Sequence, residues 1–500
     1  MAGKRGRKSP QRATQPTALA IRFPHVLLLA AFLIPNLGAL WCGFVLDDLP
    51  VIVDDPRVHT LAAIGTIWTT EYWPDREGQT VYRPLTKTAW AALWVAGGGR
   101  AIVYHAFNLA LGATVVLLLY RYLRLVPLSP VVAFVAAFLF ALFPIHTEVT
   151  TSIVGGGELL AAAFGIGALA LHRSGRRVLA LVLFALAVFS KESAAALPAI
   201  AWLASEKPRR RYWLDGIAAA GVIAVLLYLR HRATTGVSIV PPIDNPMALQ
   251  THVQRVITAL WVQVLYVVKT VFPFTLSADY SYKEIPLVMS LRDLRGWLGI
   301  SLAGLGVGLA LKRREFAAGV LVWAILFAPA SNVLFAIGTM MGERLTYLPS
   351  AGVALIVATL LAGRMRPRAL VATLSIVALA YGGRTVARNL DWRNADVFYA
   401  SMVKTSPNSA KSHYSYGTLL ASRGDDRAAI AEYDKAIAIF PAYSEAYHNR
   451  GNALARSGRI EEAKESYRMV IRIDPKHQGA RTNLQMLEAG LRITPPRKEL

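Results

Sequence analysis

The sequence predicts an all-α protein, a polytopic membrane domain followed by a small helical solenoid, and three observations predict it. Of its 500 residues, 54% are hydrophobic and only 17% charged; soluble domains carry about 25% charged residues. Apolar runs long enough to cross a bilayer recur up to about residue 390. Beyond Asp391 the chain turns mixed-charge and repeats itself at a spacing of 34 residues. A soluble enzyme and a disordered scaffold are both excluded by this composition.

The charge balance is 54 Lys and Arg against 31 Asp and Glu, a formal net of +23. Much of the surplus lies in short clusters beside apolar runs: Lys4-Arg5-Arg7-Lys8, Arg173/Arg176-Arg177, Lys207-Arg209-Arg210-Arg211, Lys312-Arg313-Arg314 and Arg364/Arg366/Arg368. Clusters of this kind flank spans on the cytoplasmic side, so the partner is a lipid bilayer and no nucleic acid is expected. The single cysteine, Cys42, forbids an intrachain disulfide and any cysteine-based metal site.

Residues 1–24 form a basic, acid-free N-terminus, expected in the cytoplasm. The membrane domain, 25–390, begins with an apolar run at 25–46 whose length fits a retained spanning helix. A first outer loop, 47–100, follows. Further runs fall at 102–120, 129–143, 159–171, 178–189, 194–203, 214–229, 253–272, 297–311, 316–335, 351–361 and 369–382, giving about 11–12 spans. Ser190-Lys191-Glu192-Ser193 interrupts two short ones, and a charged pair there belongs at a water-filled mouth. Placing the clusters at 207–211 and 312–314 on one side requires an even number of crossings between them. Three runs intervene, so one segment within 233–296 is expected to be re-entrant, interfacial or misread.

Residues 391–490 carry the repeats, and 491–500 are a tail. Aligned at the repeat spacing, His413/Tyr447, Gly417/Gly451, Leu420/Leu454, Ala429/Ala463, Tyr433/Tyr467, Ala436/Val470 and Pro441/Pro475 coincide. Small residues where paired helices touch, aromatics in the groove and proline after the second helix form the tetratricopeptide (TPR) pattern. Ala395, Tyr399, Met402 and Pro407 supply half of an earlier repeat, and 478–490 reads as a capping helix. Two full and two partial repeats are marginal for independent folding, so they are expected to dock on the membrane part and to mediate protein contacts.

Ionisable residues gather at the span ends of one face. Asp47-Asp48 follows the first run; adjacent carboxylates leaving a membrane helix need a use or a solvated setting. Asp47 fits a general base for an acceptor hydroxyl, with a cation held by its neighbour; a solvated acidic loop is the bland alternative. Arg83 is a candidate phosphate contact, or an arginine snorkelling to lipid headgroups. His105 opens the second run. His146 and Glu148, two apart, end the third, and Gly155-Gly156-Gly157-Glu158 follows. A His-x-Glu pair holds a metal or positions a donor, or is merely hydrogen-bonded. Lys191 offers a point charge to a lipid phosphate, or pairs internally with Glu192. Glu343-Arg344 falls on the same face.

The succession Asp47-Asp48, Tyr82-Arg83-Pro84-Leu85-Thr86, His105-x-x-Asn108, Pro144-x-His146-Thr147-Glu148, Gly157-Glu158, Ser190-Lys191-Glu192 and Glu343-Arg344-x-x-Tyr347, ending in TPR repeats, resembles the transmembrane and TPR repeat-containing O-mannosyltransferases and their bacterial relatives. The resemblance implies a GT-C helical bundle with an outward-facing site. It implies a glycosyltransferase that moves mannose from a polyprenyl- or dolichyl-phosphate donor to Ser/Thr of a secreted or membrane protein, with inversion. Carried over by motif, Asp47 and Asp48 are catalytic, and Lys191, Arg344 and Arg83 bind the donor phosphate. His146, Glu148, Glu158, Glu192 and His105 position donor or acceptor. A divalent cation, Mg or Mn, would fall to Asp48 and Glu148. The membrane would be a bacterial inner membrane or the endoplasmic reticulum, with the repeats on the periplasmic or luminal side. Gly156-Gly157-Glu158 departs from the Arg-Ala-Asp-like run of animal members, and the repeat array is shorter than theirs. The competing reading is a non-catalytic membrane-anchored TPR scaffold; a transporter would carry its ionisable groups mid-span.

Overall fold

The computed structural model describes residues 21–73, 80–204, 210–234 and 240–491; the cluster Lys4–Lys8, Lys207, Arg209 and the last nine residues of the tail lie outside them. Among the described residues there is no strand.

Helix α1 (Pro24–Asn36) starts on proline, whose fixed φ suits the first helical turn, and runs on as a 3-10 turn to Trp41. The first loop contains α2 (Ile64–Thr69) and α3 (Pro84–Gly97). Then follow α4 (Ala101–Leu125), α5 (Pro130–Leu142), the one-turn α6 (Thr147–Thr151), α7 (Gly156–Arg173), α8 (Arg177–Ser190), α9 (Leu197–Leu203) and α10 (Arg210–Ala233). Helices α11 (His252–Val271), α12 (Leu294–Lys312), α13 (Arg314–Phe327), α14 (Ser350–Arg364) and α15 (Pro367–Asp391) complete the membrane domain. Six helices among the described residues are long and apolar enough to cross a membrane, and the bent pair α5–α6 makes a seventh; α8, α13 and α14 are apolar but shorter. This is the build of a multi-pass membrane protein.

Helix α7 is the centre of the bundle, apolar and almost wholly buried between its neighbours. Polar side chains tie three chain ends into a floor beneath the loops. Asn389 of α15 donates to Pro35 O at 3.0 Å and accepts from Thr151 Oγ1 at 2.5 Å, and Thr150 donates to Asn36 Oδ1 at 3.0 Å. Unpaired amides at this depth would each cost a few kcal/mol, so these bonds fix where α1, α6 and α15 end.

Within 233–296, the connections before and after α11 both line one cavity, through Asp244 on one side and Ala278–Ser281 on the other. The loop 332–342 follows the helix, with Leu334 O near Arg255 and Gly342 N donating to Tyr266 OH. Among the described residues, α10 and α12 are long and apolar enough to cross a membrane, and α11 between them does not reach that mark.

Helices α16 (Ala395–Thr405), α17 (Ala410–Ser422), α18 (Asp426–Ile439), α19 (Ser444–Arg456), α20 (Ile460–Ile473) and α21 (Gln478–Glu488) form the solenoid, a half repeat, two full repeats and a cap. Its periodicity is a packing rule: a Cβ on Gly451 would stand 2.7 Å from the Tyr467 ring, so only glycine lets the aromatic fill the groove. The solenoid docks on an extended strap, residues 273–285. Ser406 Oγ donates to Asp279 O at 2.6 Å and is hydrogen-bonded to Ser277 Oγ at 2.7 Å. Ala410 N donates to Tyr282 O at 2.7 Å and Lys283 N to Asn408 O at 3.0 Å. Asp279 Oδ2 accepts from Ser281, Ser409 and Ser412. The repeats thus stand on the face that carries Asp47.

Helices α13 and α14 cross at Gly319 and Gly352, where a Cβ on Gly319 would meet Gly352 O at 2.6 Å. Gly319→Val should force the pair apart at a cost of about 1–3 kcal/mol, read as a lower unfolding midpoint of the purified chain in detergent. An unchanged midpoint would contradict this close approach.

Candidate active site

The turn after α1 sets the site. Asp48 points inward, fully buried, and each carboxylate oxygen accepts a backbone N–H: Oδ1 from Val154 at 2.9 Å and Oδ2 from Val45 at 3.3 Å. Leu46 is held at φ 52°, a left-handed conformation that costs a non-glycine residue about 1–2 kcal/mol. Together the clamp and the strained residue turn Asp47 outward into the cavity while Asp48 faces the core. Burial pushes the Asp48 carboxyl up to about 7, against the two N–H donors, which pull it down.

Arg344 lies in the 3-10 turn Glu343–Thr346. Its Nη1 is 3.3 Å from Asp47 Oδ2 and 3.6 Å from Glu148 Oε1, and its own N–H donates to Glu148 Oε2 at 3.0 Å. Burial opposes its charge, but Glu148, Asp47 and Glu158 hold the guanidinium above its ordinary value. The turn is anchored by its neighbour Glu343, which is buried and accepts from Ser277 N at 2.7 Å and Tyr280 OH at 2.5 Å, with Arg388 4.0 Å away.

Arg344 faces two cavities. The first, about 120 Å³, is lined by Leu46, Asp47, Trp73, Glu148 and the strap, and by the first repeat. The second, about 40 Å³, holds the buried Lys191–Glu158 ion pair against Ala161, Ala162, Leu326 and Leu348. Desolvation lowers the Lys191 ammonium, with Glu158 opposing. Beyond it Arg83 donates twice to Glu192, at 2.9 and 2.6 Å, and lies over the Tyr72 ring. Desolvation raises the Glu192 carboxyl, but the Arg83 charge and hydrogen bonds outweigh this and bring it down to about 2, although the side chain is half-exposed.

The structure thus brings together Asp47, Glu148, Arg344, Lys191 and Glu158, with Arg83 and Glu192 at the edge. It uses three other sequence candidates differently. Asp48 is occupied by backbone donors and lines neither cavity. His146 bonds Ser350 Oγ at 2.8 Å and packs between Phe140 and Tyr347, which fixes the start of α14. His105 is buried in α4 beneath the Cys42–Gly43 backbone, also outside both cavities. Asp48 and Glu148 do not fit a metal pair, because the donors aimed at them are N–H groups. Among the described residues no three His, Cys, Asp or Glu side chains converge on a point where a metal ion would sit.

Three residues of the larger cavity escaped the sequence reading: Asp244, Asp279 and Lys411. Lys411 Nζ is 2.6 Å from Asp244 Oδ1. They lie in connections and in a repeat helix, where no spacing distinguishes a cavity residue from a solvated one; only the folded course of the two connections flanking α11 brings them to Asp47.

Asp244, Asp279 and the strap belong to a stretch, residues 239–305, that matches the family described as "Protein O-mannosyl-transferase TMTC, DUF1736". The chain is similar to the TMTC proteins. Residues 417–458 and 444–477 match tetratricopeptide repeats. The Caenorhabditis elegans protein O-mannosyl-transferase F38B6.6 is 27% identical over 439 residues, which cover 84% of this chain and 63% of that protein. Mouse protein O-mannosyl-transferase TMTC3 is 25% identical over 88% of this chain and 53% of its own length, and human TMTC4 is 26% identical over 78% and 63%. The chain therefore spans only 53–63% of the length of these curated relatives.

A carboxyl whose folded pKa lies above its unfolded value binds its proton more tightly in the native state. Its contribution to stability is full at low pH and is lost as pH rises. For Asp48 that window runs from about 4, the ordinary aspartate value, to about 7. The unfolding midpoint of wild type minus that of Asp48→Asn should fall across this window and level off above it. A difference that stays flat would mean that Asp48 is ionised throughout.

Proposed function

We propose that this chain is a membrane glycosyltransferase that moves a sugar, mannose, from a polyprenyl- or dolichyl-phosphate donor to Ser or Thr hydroxyls of a protein, with inversion. The observation that carries the reading is the Asp47–Arg344–Glu148 cluster at the junction of two cavities of different character. One is polar and open towards the repeats, and suits a peptide hydroxyl. The other sets a lysine and an arginine beside apolar walls, and suits a phosphate carrying a lipid tail. The relatives are named protein O-mannosyl-transferases, which supports mannose as the sugar and protein as the acceptor.

Asp47 Oδ accepts the proton of the acceptor hydroxyl as its oxygen attacks the anomeric carbon from the face opposite the phosphate. The bond between the anomeric carbon and the phosphate oxygen breaks, and the lipid phosphate departs with the electron pair. The growing negative charge is met by Arg344 and Lys191, which are already fixed in place by Glu148 and Glu158. A leaving phosphate needs preorganised positive charge more than an acid. Arg83, committed to Glu192, holds the loop 80–84 over this end of the site. Asp48 acts as a positioning residue for Asp47, and the site faces the periplasm or lumen.

Asp47→Asn in the purified full chain should reduce mannose transfer from polyprenyl-phosphate-mannose to a Ser/Thr peptide by about 10²–10⁴, the range for loss of a general base. The unfolding midpoint should be kept. Activity above about a hundredth of wild type would remove Asp47 from that role. No transfer by wild type with any lipid-phosphate sugar would favour the scaffold reading instead.

A further inference from the structure

The cavity that holds Asp47 is not closed by the membrane domain alone. Met402 of α16 and Lys411 and Ser415 of α17 line it together with Leu46, Asp47 and Trp73. The two helices are fixed there, because the strap bonds α16 and α17 at Ser277, Asp279, Tyr282, Lys283 and Glu284. The cavity, about 120 Å³, is too small for a folded surface. A hydroxyl reaching Asp47 through it therefore comes from an extended segment lying against Lys411 and Ser415. The cavity is lined by four carboxylates, Asp47, Glu148, Asp244 and Asp279, and by two cations, Arg344 and Lys411. Arg344 is committed to Asp47 and Glu148, Lys411 to Asp244, and Asp279 to three serine hydroxyls that carry no charge. Burial pushes the Glu148 carboxyl up to about 7, so with Glu148 set aside one negative charge is left over.

We infer that the first repeat is half of an acceptor-peptide subsite, and that this subsite selects Ser or Thr flanked by a basic residue, with the Lys411–Asp244 pair setting the degree of selection. The inference rests on the transferase reading above. Lys411 is the more exposed partner, 36% against 15% for Asp244. It masks a carboxylate that an incoming lysine or arginine would otherwise meet.

The test uses the full chain in lipid nanodiscs with polyprenyl-phosphate-mannose and three Ser/Thr peptides that differ only in one flanking residue, Lys, Ala or Glu. Wild type should show kcat/KM for the Lys peptide above that for the Glu peptide. Lys411→Ala should widen the ratio about fivefold, the size of one partly screened charge contact, and Asp244→Asn should narrow it. Rising salt should shrink every ratio. A purely structural role for the pair would lower all three peptides together and leave the ratios unchanged, and that result overturns the subsite. Absence of transfer to all three peptides by wild type would instead overturn the transferase reading, so the two failures are distinguishable.

Discussion

One guanidinium, that of Arg344, is the interaction on which the rest of the site depends. It is half-buried between helix ends, and a partly desolvated charge is stabilised by compensation. Asp47 and Glu148 supply the compensation from two distant parts of the chain, 297 and 196 residues away. Around it the fold repeats one device: an ion pair at the mouth of the bundle, Lys191 with Glu158, Arg83 with Glu192, Lys411 with Asp244. Each pair joins elements that are remote in sequence, so the charges that could serve chemistry also hold the loops in register.

The backbone around this centre is arranged to keep it fixed. Asp48 spends its carboxylate on two amides and turns Asp47 the other way. Glu343 anchors the Arg344 turn to the strap, and the strap anchors the repeats. Both connections flanking α11 reach the same cavity. Membrane domain and solenoid therefore share a single polar layer.

Much of this was legible in the sequence, for stated physical reasons. Apolar runs marked most of the helices, but against 11–12 expected spans only six helices among the described residues, seven with the bent pair α5–α6, are long and apolar enough to cross, and the run at 194–203 holds the seven-residue α9. The repeat spacing placed Gly417, Gly451, Tyr433 and Tyr467 correctly because helix contact permits only small residues there. The collection of Asp47, Glu148, Lys191 and Arg344 on one face followed from topology. What stayed hidden was orientation within a motif. Adjacent aspartates look alike, and only the Val154 amide, over a hundred residues away, tells Asp48 from Asp47. His146 and His105 looked like ligands because histidine at a span end often is one; here an aromatic cage and a buried helix face claim them. Asp244, Asp279 and Lys411 carried no motif at all, since their meeting depends on how the connections flanking α11 fold back to the first repeat.

The most direct test of this account is mannose transfer from polyprenyl-phosphate-mannose by Arg344→Gln, a change that keeps the shape of the side chain's stem and removes its charge. If one guanidinium both aligns the base and receives the leaving phosphate, transfer should fall by at least about 100-fold, the scale for loss of one preorganised electrostatic contact, and Asp47→Asn in the same background should cost little more. A near-wild-type rate in Arg344→Gln, or losses in the two variants that simply multiply, would contradict it.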